Sequence, residues 1–430
     1  MTADVTHLDL AAPAPEAVLP DGRRVAFANL DYAATAPVAR VAAEAVQELL
    51  PWYGSVHRGA GALSQKTTFA YERARQTIAD FLGCRPADEV VFTRNTTDAM
   101  NLLAHALPPE TLTLTFLGEH HAGLLPWPRA HRLPIPGSPA EAVASLADAL
   151  AAVRTRDGAA RPLLVAVTAA SNVTGEIWPI AALVEQAHRY GARVAVDAAQ
   201  LAPHRTVDLA AWGADYVAVS GHKLYAPFGC GVLAGRADWL DAAPPYLSGG
   251  GATSSVTDTA ATVVWAHGPA RHEAGTPNVF GAVALAAVCA ELTTSDGVGW
   301  QAYETVLSKR LEAGLSAIPG VAVLRSFPEA TEATDRVGIV SFAVSTHDSA
   351  DLARWLSVAE GIGVREGLFC AHPLSRRLLA DAGRRTGRPM PATALRASIG
   401  AGTTEDHVDR LVAAVAQGVE KSVGHNEVRL

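Results

Sequence analysis

Apolar and polar positions alternate in two rhythms from about residue 26 to about residue 285. Short runs rich in apolar and β-branched residues, at 89–93, 112–116, 163–168, 193–197 and 215–219, read as strands. Between them, Ala-rich amphipathic segments at 68–82, 97–106, 139–155 and 179–190 read as helices. Strands alternating with helices predict an α/β unit, with a largely parallel sheet covered on both faces. Ligands of such sheets sit beyond the carboxyl ends of the strands, and the polar motifs of this chain fall just after strands. Past residue 285 the pattern changes. A long helical stretch at 280–317, a strand at 338–344, a helix near 349–359 and a last helix from about 404 predict a smaller α+β domain. The expected organisation is a Pro/Ala-rich arm over 1–25, a large domain over 26–288 and a small C-terminal domain over 289–430. No Pro/Gly/Ser linker separates the two domains, so the connection should be helical.

Composition narrows the function classes. The chain has 430 residues, 49% hydrophobic and 18% charged, as in an ordinary globular protein. Net charge is -8, with no Lys/Arg block able to track a phosphate backbone, which disfavours nucleic acid as a partner. No apolar run reaches transmembrane length, and no basic-then-apolar leader opens the chain, so no membrane role is expected. Four scattered cysteines, without metal-ligand spacing, predict a reducing, cytoplasmic setting, no metal site and at most one chemically special thiol.

Candidate chemistry centres on Lys223, on a turn after the 215–219 strand, and Asp197, which closes the neighbouring strand. A cleft lysine beside a carboxylate suits pyridoxal 5'-phosphate, which needs an amine for a Schiff base and an acid to keep its ring nitrogen protonated. Asp197 ends the run Val-Ala-Val, where an unpaired carboxylate would be costly. Thr93-Arg94-Asn95-Thr96-Thr97-Asp98 opens a helix and offers an anion site, although it also reads as an ordinary cap. In Glu119-His120-His121-Ala122 a flat imidazole could stack on a pyridine and pass protons at neutral pH, or the pair could be a surface feature. Asn172, in Ser171-Asn172-Val173-Thr174-Gly175, could reach a phenolic oxygen or simply make a turn. Ser220 and His222 flank Lys223 and could hold a phosphate.

Taken in order, His57-Arg58-Gly59, Thr96-Thr97, Glu119-His120-His121-Ala122, Ser171-Asn172-Val173, Asp197-Ala198-Ala199-Gln200, Ser220-Gly221-His222-Lys223-Leu224, Glu273-Ala274-Gly275-Thr276-Pro277-Asn278 and Leu395-Arg396-Ala397-Ser398 resemble the cysteine desulfurase/selenocysteine lyase branch of the class V aminotransferases. The likeness runs from about Leu30 to the C-terminus. It implies a fold-type I pyridoxal-phosphate enzyme with a mostly parallel seven-stranded sheet, acting as a homodimer with active sites shared across the interface. Lys223 would carry the Schiff base, His120 stack on the ring, Asp197 pair with its nitrogen and Gln200 contact its phenolic oxygen. Thr96, Thr97, Ser220 and His222 would hold the phosphate, with Thr276 arriving from the partner chain. Arg396 would grip the carboxylate of a small amino-acid substrate, with Arg365, His57 and Asn172 nearby.

The same resemblance aligns Cys370, in Arg365-Glu366-Gly367-Leu368-Phe369-Cys370-Ala371-His372, with the family's persulfide-forming cysteine. That implies cleavage of the C–S bond of L-cysteine or a derivative, with sulfur passed through Cys370 to an acceptor protein. Cys84, Cys230 and Cys289 read as structural. Three departures stand out. Leu368-Phe369 replace the family's His-His, Gly61 replaces a histidine, and an added segment carries Arg376, Arg377, Arg384, Arg385 and Arg388. The first two would suit a bulkier or less polar substrate; the third could be a solvated helical face or a lid. A C–S β-lyase acting on a cysteine S-conjugate, an aminotransferase or epimerase, and a non-enzymatic binding protein on the same scaffold are the alternatives.

Overall fold

The computed structural model describes residues 8–424 apart from 296, 329–334 and 346. The expected arm's residues 1–7 and the expected small domain's residues 425–430 lie outside that range. The large sheet has seven strands in the order Asp88–Thr93, Gly231–Arg236, Tyr216–Ser220, Ala192–Asp197, Leu163–Thr168, Leu112–Phe116, Ala130–Leu133. Gly231–Arg236 runs antiparallel to both neighbours, and the other pairings are parallel. Strands Leu163–Thr168 and Tyr216–Ser220 are buried along their whole length, as expected of strands covered on both faces. Helices Ala62–Phe81, Pro139–Asp157 and Ile180–Arg189 supply covering faces through Tyr71, Ile78, Leu146, Leu150, Leu183 and Val184.

A second core is built on a four-stranded antiparallel sheet, ordered Val321–Val323, Ile339–Val344, Ala394–Ser398, Arg365–Gly367. Helices Gly297–Ser316 and Glu405–Gly424 pack on it through Leu307, Leu311, Val408 and Leu411. The helical stretch expected over 280–317 is two helices, Val279–Thr294 and Gly297–Ser316, meeting at 91°. Ser295 leaves the first helix in extended conformation. Each half then buries its face in a different core: Val288 and Cys289 in the large one, Trp300 and Leu307 in the small one.

The N-terminal segment is more structured than an arm. Glu16–Val18 and Arg24–Ala26 form an antiparallel hairpin, and Ala28–Asn29 pairs in parallel with Ile362–Gly363. Ala28 and Leu30 lie in the smaller core. This stitching brings the next residue, Asp31, against Ser398 at the end of the small sheet. Among the described residues no single helix is long and apolar enough to cross a membrane.

Candidate active site

Five of the seven strands of the large sheet end beside one cavity of about 260 Å³ and deliver polar residues to it. Asn95, Thr96 and Thr97 come after the first strand, His120 after Leu112–Phe116, and Asn172 after Leu163–Thr168. Asp197 and Gln200 follow the next strand, and Ser220, His222 and Lys223 the one after it. Arg365, Phe369, Cys370 and Arg396 close the cavity from the small sheet. Lys223 is one of four lysines in the chain, with Lys66, Lys309 and Lys421.

Local folding explains the placement. Asn95 caps the helix Thr96–Ala106 by accepting from the Asp98 amide at 3.0 Å, which leaves the helix N-terminus facing the cavity. Ser220 Oγ accepts from the Thr96 amide at 2.9 Å and lies 3.2 Å from Thr96 Oγ1, so a buried hydroxyl pair sits at that terminus. Such a group of amides and hydroxyls suits a phosphate. Asp197 Oδ1 accepts from the Ala199 amide at 3.0 Å. Gln200 gives one amide hydrogen to the Ala33 carbonyl at 2.8 Å, and its NH2 keeps a second donor.

Desolvation sets the charge states. It brings the Lys223 amine down to about 8, against the opposing pull of Asp197. It raises the Asp197 carboxyl, a shift the Lys223 ammonium opposes. His120 is pulled down to about 3 by burial and then by the Lys223 charge. The proton shuttling at neutral pH expected of His120 is therefore not what its surroundings favour: the ring is held neutral. Its Nδ1 accepts from the Ala122 amide at 3.1 Å, so the ring hydrogen belongs on Nε2. Burial also lowers His222, with Lys223 adding to the effect.

The wall on the side of the small sheet works differently. Arg396 is 3% exposed. Its Nη1 donates to the Asn172 carbonyl at 2.8 Å, its Nη2 lies 3.4 Å from Asp31 Oδ1, and the Phe369 ring covers its guanidinium at 5.1 Å. Arg396 Nε has no hydrogen-bond partner among the described residues. A buried guanidinium with a spare donor beside a cavity suits a carboxylate ligand. Burial lowers it to about 10, with Asp31 opposing. Arg365 is half exposed and 3.8 Å from the other Asp31 oxygen. Phe369 and Cys370 have φ of 53° and 52°, two consecutive non-glycine residues in the left-handed region. Each such residue costs about 1–3 kcal/mol and persists only where the surroundings hold it. Here the Asn172 amide donates to the Phe369 carbonyl at 2.7 Å, and the His121 amide to the Cys370 carbonyl at 2.7 Å. Cys370 is thereby fixed at the rim, exposed.

Two expected site residues lie elsewhere in the chain. His57 and Thr276 line a separate cavity of about 550 Å³ with Arg58, Arg75 and Glu273. His57 pairs with Glu72 at 2.8 Å. Gly61 caps the helix Ala62–Phe81 and lines neither cavity, so its replacement of a histidine adds no apolar wall here. The added arginine segment is the docked helix His372–Thr386, with Leu374, Leu378 and Leu379 buried. Arg377 bonds the Ile135 carbonyl and Arg385 the Val323 carbonyl, which opposes a lid.

Sequence reading missed Asp31 and Glu119 as site residues. The Leu30-Asp31-Tyr32 run gave a signal for the first, but its partner is remote in sequence. Glu119 is fully buried, accepts from the Thr168 amide at 3.0 Å, and is raised well above the usual carboxyl range by burial. It ties the residue before His120 to the strand next to Asp197.

A phosphate cradle, a carboxylate for a ring nitrogen, a desolvated lysine and a spare guanidinium donor together match the functional groups of pyridoxal phosphate and an amino acid. Fold and site thus define the class as a fold-type I pyridoxal-phosphate enzyme scaffold. Family comparison matches residues 28–411 to Aminotransferase class-V. "Probable cysteine desulfurase 2" of Mycobacterium leprae is 36% identical over 98% of this chain and 99% of its own. The cysteine desulfurase of Dickeya dadantii is 36% identical over 90% of each chain. The solved cysteine desulfurase CsdA (S-sulfonic acid) from Escherichia coli superposes with a TM-score of 0.76, at 31% identity over 92% of this chain and 95% of that one. The chain belongs to the class V aminotransferase family, in its cysteine desulfurase branch.

Proposed function

We propose that this chain binds pyridoxal phosphate at Lys223 and cleaves the C–S bond of L-cysteine, passing the sulfur to Cys370. The carrying observation is that Lys223, Arg396 and Cys370 line one cavity although they come from three separate parts of the chain. When bound, the cofactor supplies an electron sink for the substrate Cα. The protein's own residues do the rest. Arg396 holds the substrate carboxylate through its spare Nε and its nearby charge, braced by Asp31 and the Asn172 carbonyl. Thr96, Thr97, Ser220 and His222 hold the phosphate, Asp197 the ring nitrogen, and Gln200 and Asn172 are placed for the phenolic oxygen or the substrate. His120, neutral with hydrogen on Nε2, covers the ring without adding charge. Lys223 Nζ, desolvated and brought down to about 8, moves the proton at Cα. Cys370 Sγ attacks the substrate sulfur; the C–S bonding pair stays with the substrate carbon, alanine leaves, and a persulfide remains.

A homodimer completes this reading. Leu50, Trp52, Tyr53, Leu63 and Phe69 are exposed apolar residues around His57, more than a lone surface segment ordinarily carries. In the dimer, Thr276 and His57 of one protomer would complete the phosphate and substrate sites of the other. The four free cysteines fit a reducing compartment such as the cytoplasm, and an exposed Cys370 fits hand-off to an acceptor protein.

The test is incubation of purified protein with L-cysteine. Alanine with persulfide on Cys370, both lost in Cys370→Ala, supports the proposal. Pyruvate and ammonia from an S-alkyl cysteine, undiminished in Cys370→Ala, would replace it with the β-lyase reading. The apolar wall made by Phe369 is the one feature favouring that second reading.

A further inference from the structure

Leu368 and Phe369, the two residues before Cys370, cannot move a proton. Two histidines adjoin the cysteine instead, one by a backbone hydrogen bond and one two residues on. The His121 amide holds the Cys370 carbonyl at 2.7 Å, so the start of the short helix His121–Leu124 is fixed against this loop. His372 stands two residues beyond Cys370 as the first residue of the helix His372–Thr386 and is exposed. The two rings meet edge to face, 4.5 Å apart at 69°. Burial, and then the neighbouring His372, hold His121 below the ordinary imidazole range, so the pair keeps a neutral member. On the inner side Cys370 lines the same cavity as Lys223 and Arg396. A loaded sulfur at this cysteine therefore has cations towards the cavity and a proton-accepting pair towards solvent.

We infer that His121 and His372 handle the proton when the sulfur on Cys370 is unloaded to an acceptor thiol. This rests on the proposed role of Cys370. The acceptor thiol gives its proton to an imidazole of the pair, and its thiolate attacks the outer sulfur of the Cys370 persulfide. A new S–S bond forms and the old one breaks, its electron pair going to Cys370 Sγ. The same imidazole returns the proton to that sulfur. One thiol and one persulfide become one persulfide and one thiol, so no outside oxidant or reductant is needed.

The holoprotein is loaded in two ways, with L-cysteine and with inorganic polysulfide, and the Cys370 peptide is weighed. Dithiothreitol is then the acceptor, and loss of the extra sulfur is timed by quenching. His372→Gln and His121→Gln should load as the wild type does and unload roughly 100-fold more slowly, the size of a lost general acid–base group. Added imidazole should restore unloading in His372→Ala, which a purely structural role would not allow. Unloading at the wild-type rate in both variants, slowing confined to loading, or a defect that imidazole leaves untouched would overturn the inference. Loading by polysulfide but not by L-cysteine would overturn the desulfurase reading alone, and the unloading rates would still decide this one.

Discussion

The two walls of the cavity hold their reactive groups by different means. On the wall made by the large sheet, each residue sits at or just past the end of its own strand, and burial and neighbouring charge set its protonation, as for Lys223 and Asp197. On the wall beside the small sheet, Cys370 sits exposed on a left-handed backbone that two hydrogen bonds from the opposite wall pin in place. The first wall is specified by residue type at a strand end, the second by backbone conformation and contact across the cavity. Chemistry that needs desolvation belongs on the first, and a sulfur that must meet an outside acceptor belongs on the second.

That contrast can be broken at its strongest point first. Lys223→Ala should take cofactor attachment and turnover to background, seen as loss of the bound-cofactor absorbance; retained colour with normal turnover would show that the cofactor is not joined to the wall made by the large sheet. Arg396→Ala removes a buried cation braced by both walls. It should weaken amino-acid binding by about 2–5 kcal/mol, measured by substrate titration, because Asp31 is also left without its buried partner. Asn172→Ala removes the donor that pins Phe369. It should cost about 1–3 kcal/mol in urea unfolding and slow persulfide loading of Cys370 even at saturating cofactor. Loading at the wild-type rate would argue that this hydrogen bond does not hold the loop.

A pH profile sharpens the same contrast. Burial favours the neutral Lys223 amine, so in cofactor-free protein the rate of cofactor attachment should rise with pH and level off above about 8. A rise continuing towards the ordinary lysine value of 10.5 would mean the amine is solvated.

Much of the first wall was legible in the chain. Asp197, Ser220 and Lys223 follow apolar runs directly, and strand ends in an α/β sheet converge by topology. The second wall was far less so. Arg396 could be assigned by resemblance, but its brace Asp31 lies 365 residues away, and no local pattern announces such a contact. The left-handed turn at Phe369-Cys370 carries no glycine at those two positions, so the usual signal of positive φ was missing. His121 and His372 lie 251 residues apart in sequence and meet only through the tertiary fold. The break between Val279–Thr294 and Gly297–Ser316 did leave a trace, the polar run Thr293-Thr294-Ser295 shortly before Gly297, but nothing local shows that the two halves enter different cores.

Everything depends on where the cofactor is joined to the chain. Borohydride reduction of the cofactor-saturated protein, followed by peptide mass mapping, locates that bond among four lysines. A pyridoxyl group on the peptide containing Lys223 is the expected result. The same group on Lys66, Lys309 or Lys421, with Lys223 unmodified, would contradict it.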